Sequence, residues 1–413
     1  MALLSCNNHK ILVSPIFIDS VLSHYQPSRM ANINQKDLAF WETRVRTLPE
    51  NFVNSFKYSS ALAGRFHIYG NINDLLLADS IMQALVLKFN EPGMLLSLGG
   101  YKMLQHQFID AKKYIGEVAQ MKTEKFATQM MMFDATFELG DEYQAYNILQ
   151  QTRSPNDYSY NFRLSKFDHY KGNMDSSITH MMNAATLAHS NAYLRSTALS
   201  NVADLYVHNG QISSAVQLYK QCLRNNSCDF HSLIALGWLA LVHDGNDSLA
   251  EKIFVFAGSK LQSPDPLFKL SQANELTNSS AAKKWATAFA NQASLPAYGN
   301  MYNKYLIQVY SSTLNNPTKA LLLAQKELLN RNTPQTNAWL AWCLFLNGRK
   351  QEAYKVYQQS VSGRPLEGLE LYWMGKLMKG LGKGYTAQQF FKAAENNKYD
   401  LSPLVQKDLE ENL

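Results

Sequence analysis

Large apolar, small and polar residues follow a fixed order over residues 334–365, and this order predicts two helices joined by a short turn. With Pro334 as position 1, large apolar residues stand at positions 7, 11 and 24, small residues at 8 and 20, glycine at 15 and proline at 32. These positions hold Leu340, Ala341, Leu344, Gly348, Ala353, Tyr357 and Pro365. The spacing of the apolar positions places them on one face of each helix.

Each residue type has a physical role in such a pair of helices. Small side chains at positions 8 and 20 let the two helices approach closely, while the large apolar residues fill the space between them. Glycine at position 15 ends the first helix in a left-handed conformation without the penalty of a Cβ atom. Proline at position 32 ends the second helix because it has no N–H to donate.

The same order recurs along the chain and resembles the tetratricopeptide repeat (TPR), a helix-turn-helix unit of about 34 residues. Clear copies begin at Phe126, Pro92, Ser196, His231 and Gly368, besides the one at Pro334. Weaker copies begin near Ser59, Tyr158, Gln262 and Asn300. The resemblance implies an all-α fold, a right-handed α-α superhelix (TPR solenoid) of about ten helix-turn-helix repeats.

The repeats divide the chain into three predicted parts. Residues 1–36 form an N-terminal tether, residues 37–400 the TPR solenoid, and residues 401–413 a C-terminal capping helix. We expect Ser402 to cap this last helix, and Leu401, Leu404 and Leu409 to cover the final repeat. Residues 37–46 are expected to be helical, with Leu38 and Trp41 on one side.

Composition narrows the classes of partner. The chain has 413 residues and a net charge of +6, but only 17% of its residues are charged, and its basic residues are scattered. A nucleic-acid footprint is therefore not expected. No apolar run reaches the ~18 residues that a membrane-spanning helix needs. The four cysteines are too few for a disulfide framework. Cys222 and Cys228 could pair in an oxidising compartment, but their separation of six residues across a helix end is awkward for a disulfide, and separate reduced cysteines are expected.

Motifs that carry chemistry are not found in the sequence. The ten histidines are spread along the chain without metal-ligand spacing. The segment GLGKGYT, residues 380–386, lacks the full spacing of a phosphate-binding loop and falls at the turn of a repeat. We therefore predict no catalytic residue, no metal and no cofactor, and the chain is expected not to be an enzyme.

A partner-binding groove is implied by the TPR resemblance, which places positions 2, 5, 9 and 12 of the first helices on the concave face. At the C-terminal end these positions bring aromatic residues next to lysines. The candidate groove residues are Trp342, Phe345, Tyr372, Lys376 and Lys379. Such a surface suits an extended peptide or a helix that carries acidic groups; the alternative is that Trp342 and Phe345 simply pack against the neighbouring repeat.

The first residues resemble a second family signature. The segment LLSC, residues 3–6, is similar to the lipobox of bacterial lipoproteins, which implies that Cys6 is lipidated and becomes the mature N-terminus. Only five residues precede Cys6, fewer than the apolar core of a signal peptide, so the resemblance implies an upstream start. An ordinary cytoplasmic N-terminus remains the alternative.

Together these features predict a non-enzymatic TPR scaffold or adaptor that mediates protein–protein interactions. Its partner is a protein or peptide in the concave groove, and its predicted location is the cell envelope, lipid-anchored on the periplasmic or outer-membrane side. Two alternatives stay open: a cytoplasmic TPR adaptor, and a glycan-binding outer-membrane lipoprotein.

Overall fold

The computed structural model describes residues 11–413, and every regular element in this range is a helix. None of these helices is both long enough and apolar enough to cross a membrane. Two 3-10 turns occupy Pro296–Tyr298 and Lys398–Asp400. Helices α1 to α23 are, in chain order, Pro15–Ser23, Arg29–Thr47, Phe52–Tyr69, Ile72–Phe89, Pro92–Leu104, Phe108–Met121, Lys125–Glu138, Glu142–Gln151, Tyr158–Tyr170, Met174–Leu187, Ala192–His208, Ile212–Asn225, Phe230–Val242, Asp247–Lys260, Asp265–Asn274, Ser279–Ala293, Asn303–Ser311, Pro317–Asn330, Pro334–Leu346, Lys350–Val356, Gly368–Gly380, Gly384–Glu395 and Pro403–Glu410.

Helices α3 to α22 form ten consecutive pairs, and the two helices of each pair pack against each other. The repeats predicted to begin at Pro92, Pro334 and Gly368 begin at the first residues of α5, α19 and α21. The predicted fold class, an all-α TPR-type solenoid of about ten repeats, is therefore confirmed.

The small residues of the repeat stand where two helices touch. A Cβ atom on Gly237 would lie 2.7 Å from Cε1 of Phe254, inside van der Waals contact. At the turn of the next-to-last repeat, Gly348 has φ +77°, the left-handed conformation expected for position 15. Close approach and sharp turns thus explain why glycine recurs at these positions.

The solenoid coils tightly enough for its successive turns to touch. Tyr69 O accepts a hydrogen bond from Gln262 N at 2.8 Å, and Arg331 Nη1 donates to Glu138 Oε2 at 2.9 Å across a separation of 193 residues. His208 Nδ1 lies 3.1 Å from the carboxylate of an acidic residue 192 positions later, Asp400. Three contacts at nearly the same sequence separation show that one superhelical turn takes about 193 residues.

The N-terminal segment departs from the expected tether. Within residues 1–36, the described part contains all of α1 and the beginning of α2, which starts at Arg29 rather than at Asp37. Val13 and Ile18 are fully buried against the solenoid, and the backbone N–H of Val13 donates to Asp244 at 2.8 Å. Residues 11–28 are thus a docked strap, because their apolar side chains are taken up by the repeats.

The C-terminal helix, α23, is present but differs from the prediction in two details. Ser402 makes no side-chain cap, because its hydroxyl donates to Glu275 Oε2 at 2.6 Å. Leu401 and Leu409 are buried as expected, whereas Leu404 is exposed. The C-terminal segment therefore joins the inner helix α15 as well as the final repeat.

Candidate functional site

A cavity of about 790 Å³ lies inside the superhelix. The first helices of four consecutive repeats, α11, α13, α15 and α17, supply most of its wall, and α2, α3, α12 and the segment at Asp400 add further residues. First helices face inward in such a solenoid, so their inward side chains meet in one space. The cavity falls within the range of volumes typical of ligand pockets.

One face of α11 supplies a polar stripe to this wall. Tyr193, Thr197, Ser200, Asp204 and His208 recur every three or four residues and all line the cavity. A helix in a solenoid that needed only to pack would bury apolar side chains on this face. The polar stripe therefore makes the inner side of α11 a candidate surface for a ligand.

Asp204 is the centre of a hydrogen-bonded group in the cavity. It accepts a hydrogen bond from the hydroxyl of Tyr219 at 2.5 Å and lies 2.9 Å from Nε2 of His231. The charge of Asp204 raises the pKa of His231 to about 9. The His231 side chain is 58% exposed, and this exposed surface faces the cavity.

A cation also lies on an aromatic ring in the wall of this cavity. Lys269 Nζ is 3.5 Å from the ring centroid of Trp238, and it makes no ion pair with a described carboxylate. Burial lowers the pKa of Lys269 to about 8. One turn earlier, Asp265 accepts a hydrogen bond from the hydroxyl of Tyr302 at 2.8 Å. The wall thus presents an ammonium group and a carboxylate that both retain bonding capacity.

A second cavity, of about 700 Å³, adjoins the first. His208 and Asp400 line both and so stand at the boundary between them. Burial alone would lower the pKa of His208, but its hydrogen bond to Asp400 and that carboxylate's charge raise it to about 9. The boundary is therefore an ion pair at neutral pH.

Ion pairs line the second cavity, and one of them, Glu138–Arg331, joins successive superhelical turns. Glu138 contacts Lys166 at 2.7 Å and Arg331 at 2.9 Å, and Lys304 contacts Glu367 at 3.0 Å. Burial alone would raise the pKa of Glu138, but the charges of Lys166 and Arg331 lower it by more, so the pKa is below its usual value. Because these charged side chains pair with one another, the second cavity has fewer charged groups free to bind a ligand than the first.

Three of the five residues of the predicted groove, Tyr372, Lys376 and Lys379, bond the chain's own C-terminal residues. Tyr372 and Lys376 both bond the carboxylate of Asp408, at 2.7 and 2.8 Å, and Lys379 Nζ donates to Asn412 at 2.6 Å. Trp342 stacks between two aromatic neighbours: its ring centroid is 5.9 Å from that of Trp373 and 5.7 Å from that of Phe345. The C-terminal segment therefore covers the part of the predicted surface that holds the lysines. Trp342 and Phe345 pack against the neighbouring repeat, the alternative considered for them. None of the five residues lines either cavity. The predicted lipidation site, Cys6, lies outside the described residues.

The positional rule used for the groove does find the cavity when it is applied elsewhere. In the repeat that begins at Ser196, positions 2, 5, 9 and 12 are Thr197, Ser200, Asp204 and Val207, and all four line the cavity. The sequence feature that indicates the cavity is the set of polar residues at the inward positions of α11. The prediction instead selected the aromatic residues at the inward positions near the C-terminus.

Comparison with known proteins supports the fold. No protein-family model matches the chain, and no curated protein matches it significantly, but many solved structures do. The human IFIT1 dimer with m7Gppp-AAAA is 13% identical over 78% of this chain and 76% of that chain, with a TM-score of 0.50. At this identity the likeness shows the fold alone.

Two further structures are more distant. A chain of the APC/C hetero-tetramer Cut9–Hcn1 is 13% identical over 83% of this chain, with a TM-score of 0.48, and the match spans 64% of that chain. The STAND protein with a tetratricopeptide repeat sensor from Pyrococcus horikoshii is 17% identical over 92% of this chain and 55% of that chain, with a TM-score of 0.44.

Proposed function

We propose that this protein is a non-enzymatic TPR-type scaffold that holds a segment of a protein partner inside its superhelix. The observation that carries the proposal is the 790 Å³ cavity, whose wall combines aromatic rings with polar groups from four inner helices. A solenoid whose inner faces only packed together would fill this space with apolar side chains.

The chemistry of the wall suits a peptide. Lys269 has unused donors, and Asp265 and Asp400 each have a carboxylate oxygen that no described side chain bonds. Main-chain amides and charged side chains of an extended peptide supply matching partners for both signs. The tyrosines of the wall add contact area at a low cost in conformational entropy.

The charges of the cavity disfavour a nucleic acid. Four aspartates, Asp204, Asp229, Asp265 and Asp400, line it against three cations, which are Lys269 and the protonated rings of His208 and His231. The phosphate backbone of RNA or DNA is recognised by surfaces with an excess of cations, which neutralise it. A protein or peptide partner is therefore favoured over RNA.

The lipobox-like segment at residues 3–6 supports the finer part of the proposal, a bacterial envelope lipoprotein anchored through Cys6. The test is the intact N-terminal mass of the native protein from the membrane fraction. A mature chain that begins at Cys6 and carries acyl mass supports the anchor. An unmodified Met1 or Ala2 in the soluble fraction favours the cytoplasmic adaptor instead.

Peptide binding is tested by blocking the cavity. Ala235 lines it on α13, and Ala235→Trp would fill part of it; Ala119→Trp, on the exposed face of α6, is the matched control. A peptide array that covers the envelope proteins of the source organism is probed with the wild type and both variants. We expect a set of peptides to bind the wild type and the control but not Ala235→Trp.

Two results would count against this function. Peptide binding that survives Ala235→Trp, with the fold intact by circular dichroism, would place the partner outside the cavity. Binding of oligosaccharides in calorimetry, with no peptide retained on the array, would favour the glycan-binding alternative.

A further inference from the structure

The strap of residues 11–28 fixes the start of the described chain to the outer side of the middle repeats. The backbone N–H groups of Leu12 and Val13 donate to the carboxylate of Asp244, and the backbone O of Leu12 accepts a hydrogen bond from Lys220 Nζ at 3.4 Å. Helix α1 then packs on α14, with Ile18 fully buried. The strap therefore holds its exposed residues in a defined orientation.

Two of these exposed residues are large and apolar. Ile11 is 62% exposed and Ile16, in the first turn of α1, is 83% exposed. Neighbouring Val13 and Ile18 are buried, so the strap has enough apolar side chains to dock and presents two more to solvent. Exposed apolar residues beside cations are typical of surfaces that lie on a membrane.

Three cations beside the strap have no acidic partner among the described residues. The ring of Phe17 has Lys220 Nζ 5.6 Å away and the Arg224 guanidinium 5.4 Å away, and Lys260 Nζ is 5.3 Å from the ring of Tyr25. None of these three cations makes an ion pair with a described carboxylate, whereas Lys252 pairs with Asp19 at 2.7 Å. Asp244, the other acid at the strap, is used by the backbone of residues 12 and 13.

We propose that this face, made by Ile11, Ile16, Phe17, Lys220, Arg224 and Lys260, rests on a bilayer surface that contains anionic phospholipids. The isoleucines enter the interfacial region, and the three cations face the lipid phosphates. Charge complementarity and the position of the strap select this partner over a second protein.

The inference rests on the proposed anchor for its geometry. Ile11 is five positions after Cys6, and a fully extended chain of five residue steps spans at most about 18 Å. A lipid on Cys6 would therefore hold the face within about 18 Å of the bilayer. The solenoid would approach the membrane through its fifth and sixth repeats, with α12 and α14 nearest to it.

The test uses the full chain with Cys6→Ser, so that binding does not depend on an acyl group. It is sedimented with vesicles of phosphatidylcholine alone, and with vesicles of equal parts phosphatidylcholine and phosphatidylglycerol. We expect binding to the anionic vesicles only, and its loss at high salt. Lys220→Glu/Arg224→Glu and Ile16→Glu should each weaken it about tenfold or more.

Matched controls make the result specific to this face. Lys283→Glu/Lys284→Glu reverses two exposed cations on α16, and Leu87→Glu changes an exposed leucine on α4. Equal losses in the variants and their controls, or no sedimentation of the wild type with anionic vesicles, would overturn the proposal. If the native protein is lipidated but the Cys6→Ser chain shows no preference for anionic vesicles, the anchor is supported and the membrane-binding face is overturned. If the native chain is not lipidated but the Cys6→Ser chain binds anionic vesicles, the face is supported and the anchor is overturned.

Discussion

The ring of His208 lies 3.1 Å from the carboxylate of Asp400, a residue 192 positions further along the chain. The pair joins the end of α11 to the turn before α23 and stands where the two interior cavities meet. It is the third of three contacts that tie one superhelical turn to the next. A titratable pair thus stands at the boundary between the two cavities.

The strength of this pair should depend on pH. The pKa of His208 is raised from 6.5 to about 9, so its contribution is complete below pH 6.5 and is lost as the pH rises through 9. Asp400→Asn should lower the stability of the C-terminal segment by about 2 kcal/mol at pH 6 and by almost nothing above pH 9. Hydrogen exchange of residues 398–413, compared with the wild type at each pH, measures the difference.

The control for this prediction is Asp37→Asn, which removes an exposed carboxylate on α2. It should leave the exchange of residues 398–413 unchanged at every pH. A loss of protection in Asp400→Asn that is equal at pH 6 and pH 9.5 would show that the pair is not ionic.

The buried carboxylate of Glu275 should lower the free energy of unfolding at neutral pH. Burial raises its pKa from 4.5 to about 7, although the hydroxyls of Ser402 and Thr313 donate to it. Because the folded state favours the protonated acid, wild-type stability falls as the pH rises from 4.5 to 7. Glu275→Gln should therefore be more stable than the wild type by about 2 kcal/mol above pH 7, and equal to it near pH 4.

Urea unfolding at several pH values checks the Glu275 prediction. Glu251→Gln, at an exposed position on α14, should show no such pH-dependent gain. If Glu275→Gln is less stable than the wild type at pH 8, the hydrogen bonds to the ionised carboxylate outweigh its burial, and the predicted sign is wrong.

Two glycines in helices should respond in opposite ways to alanine. A Cβ atom on Gly375 would overlap the ring of Phe391, whereas Gly116 has no atom within 4 Å of that position. Gly375→Ala should destabilise the protein by about 1–3 kcal/mol through overpacking. Gly116→Ala should stabilise it by about 0.5–1 kcal/mol, since alanine is the better helix former. Thermal unfolding of both variants tests the pair, and a stabilising Gly375→Ala would disprove the close packing at position 8.

Lys376 should hold α23 in place through Asp408. The two side chains are 2.8 Å apart and about one-third exposed, so Lys376→Glu should weaken the docking of α23 by only about 1 kcal/mol. Lys376→Glu/Asp408→Lys should restore most of the loss because it rebuilds the pair with reversed charges. Hydrogen exchange of residues 403–410 is the measurement, and a double variant no better than Lys376→Glu would argue against the ion pair.

The repeat pattern was readable because each signal is local. Gly348 ends a helix, and Ala341 and Ala353 pack within one pair, so all the residues that define a repeat lie within about 34 positions of each other. Helix pairing depends on neighbours in the sequence, and the number and position of the repeats followed from that.

The candidate site was only partly readable. The rule for inward positions is correct for α11, where Thr197, Ser200 and Asp204 line the cavity. At the C-terminal end the same rule selected Tyr372 and Lys376, which are used by α23 instead. A positional rule identifies the inner face of a helix, but it cannot tell whether another part of the chain fills that face.

The sequence by itself determined the helices, their pairing and the repeat count, because the free energy of each pair comes from residues within one 34-residue unit. Only the tertiary structure decided the pitch of the superhelix, the strap on Asp244, and the contact between His208 and Asp400. These features join residues about 190 to 230 positions apart. No local pattern encodes such contacts, because they depend on small rotations between repeats that accumulate over a whole superhelical turn.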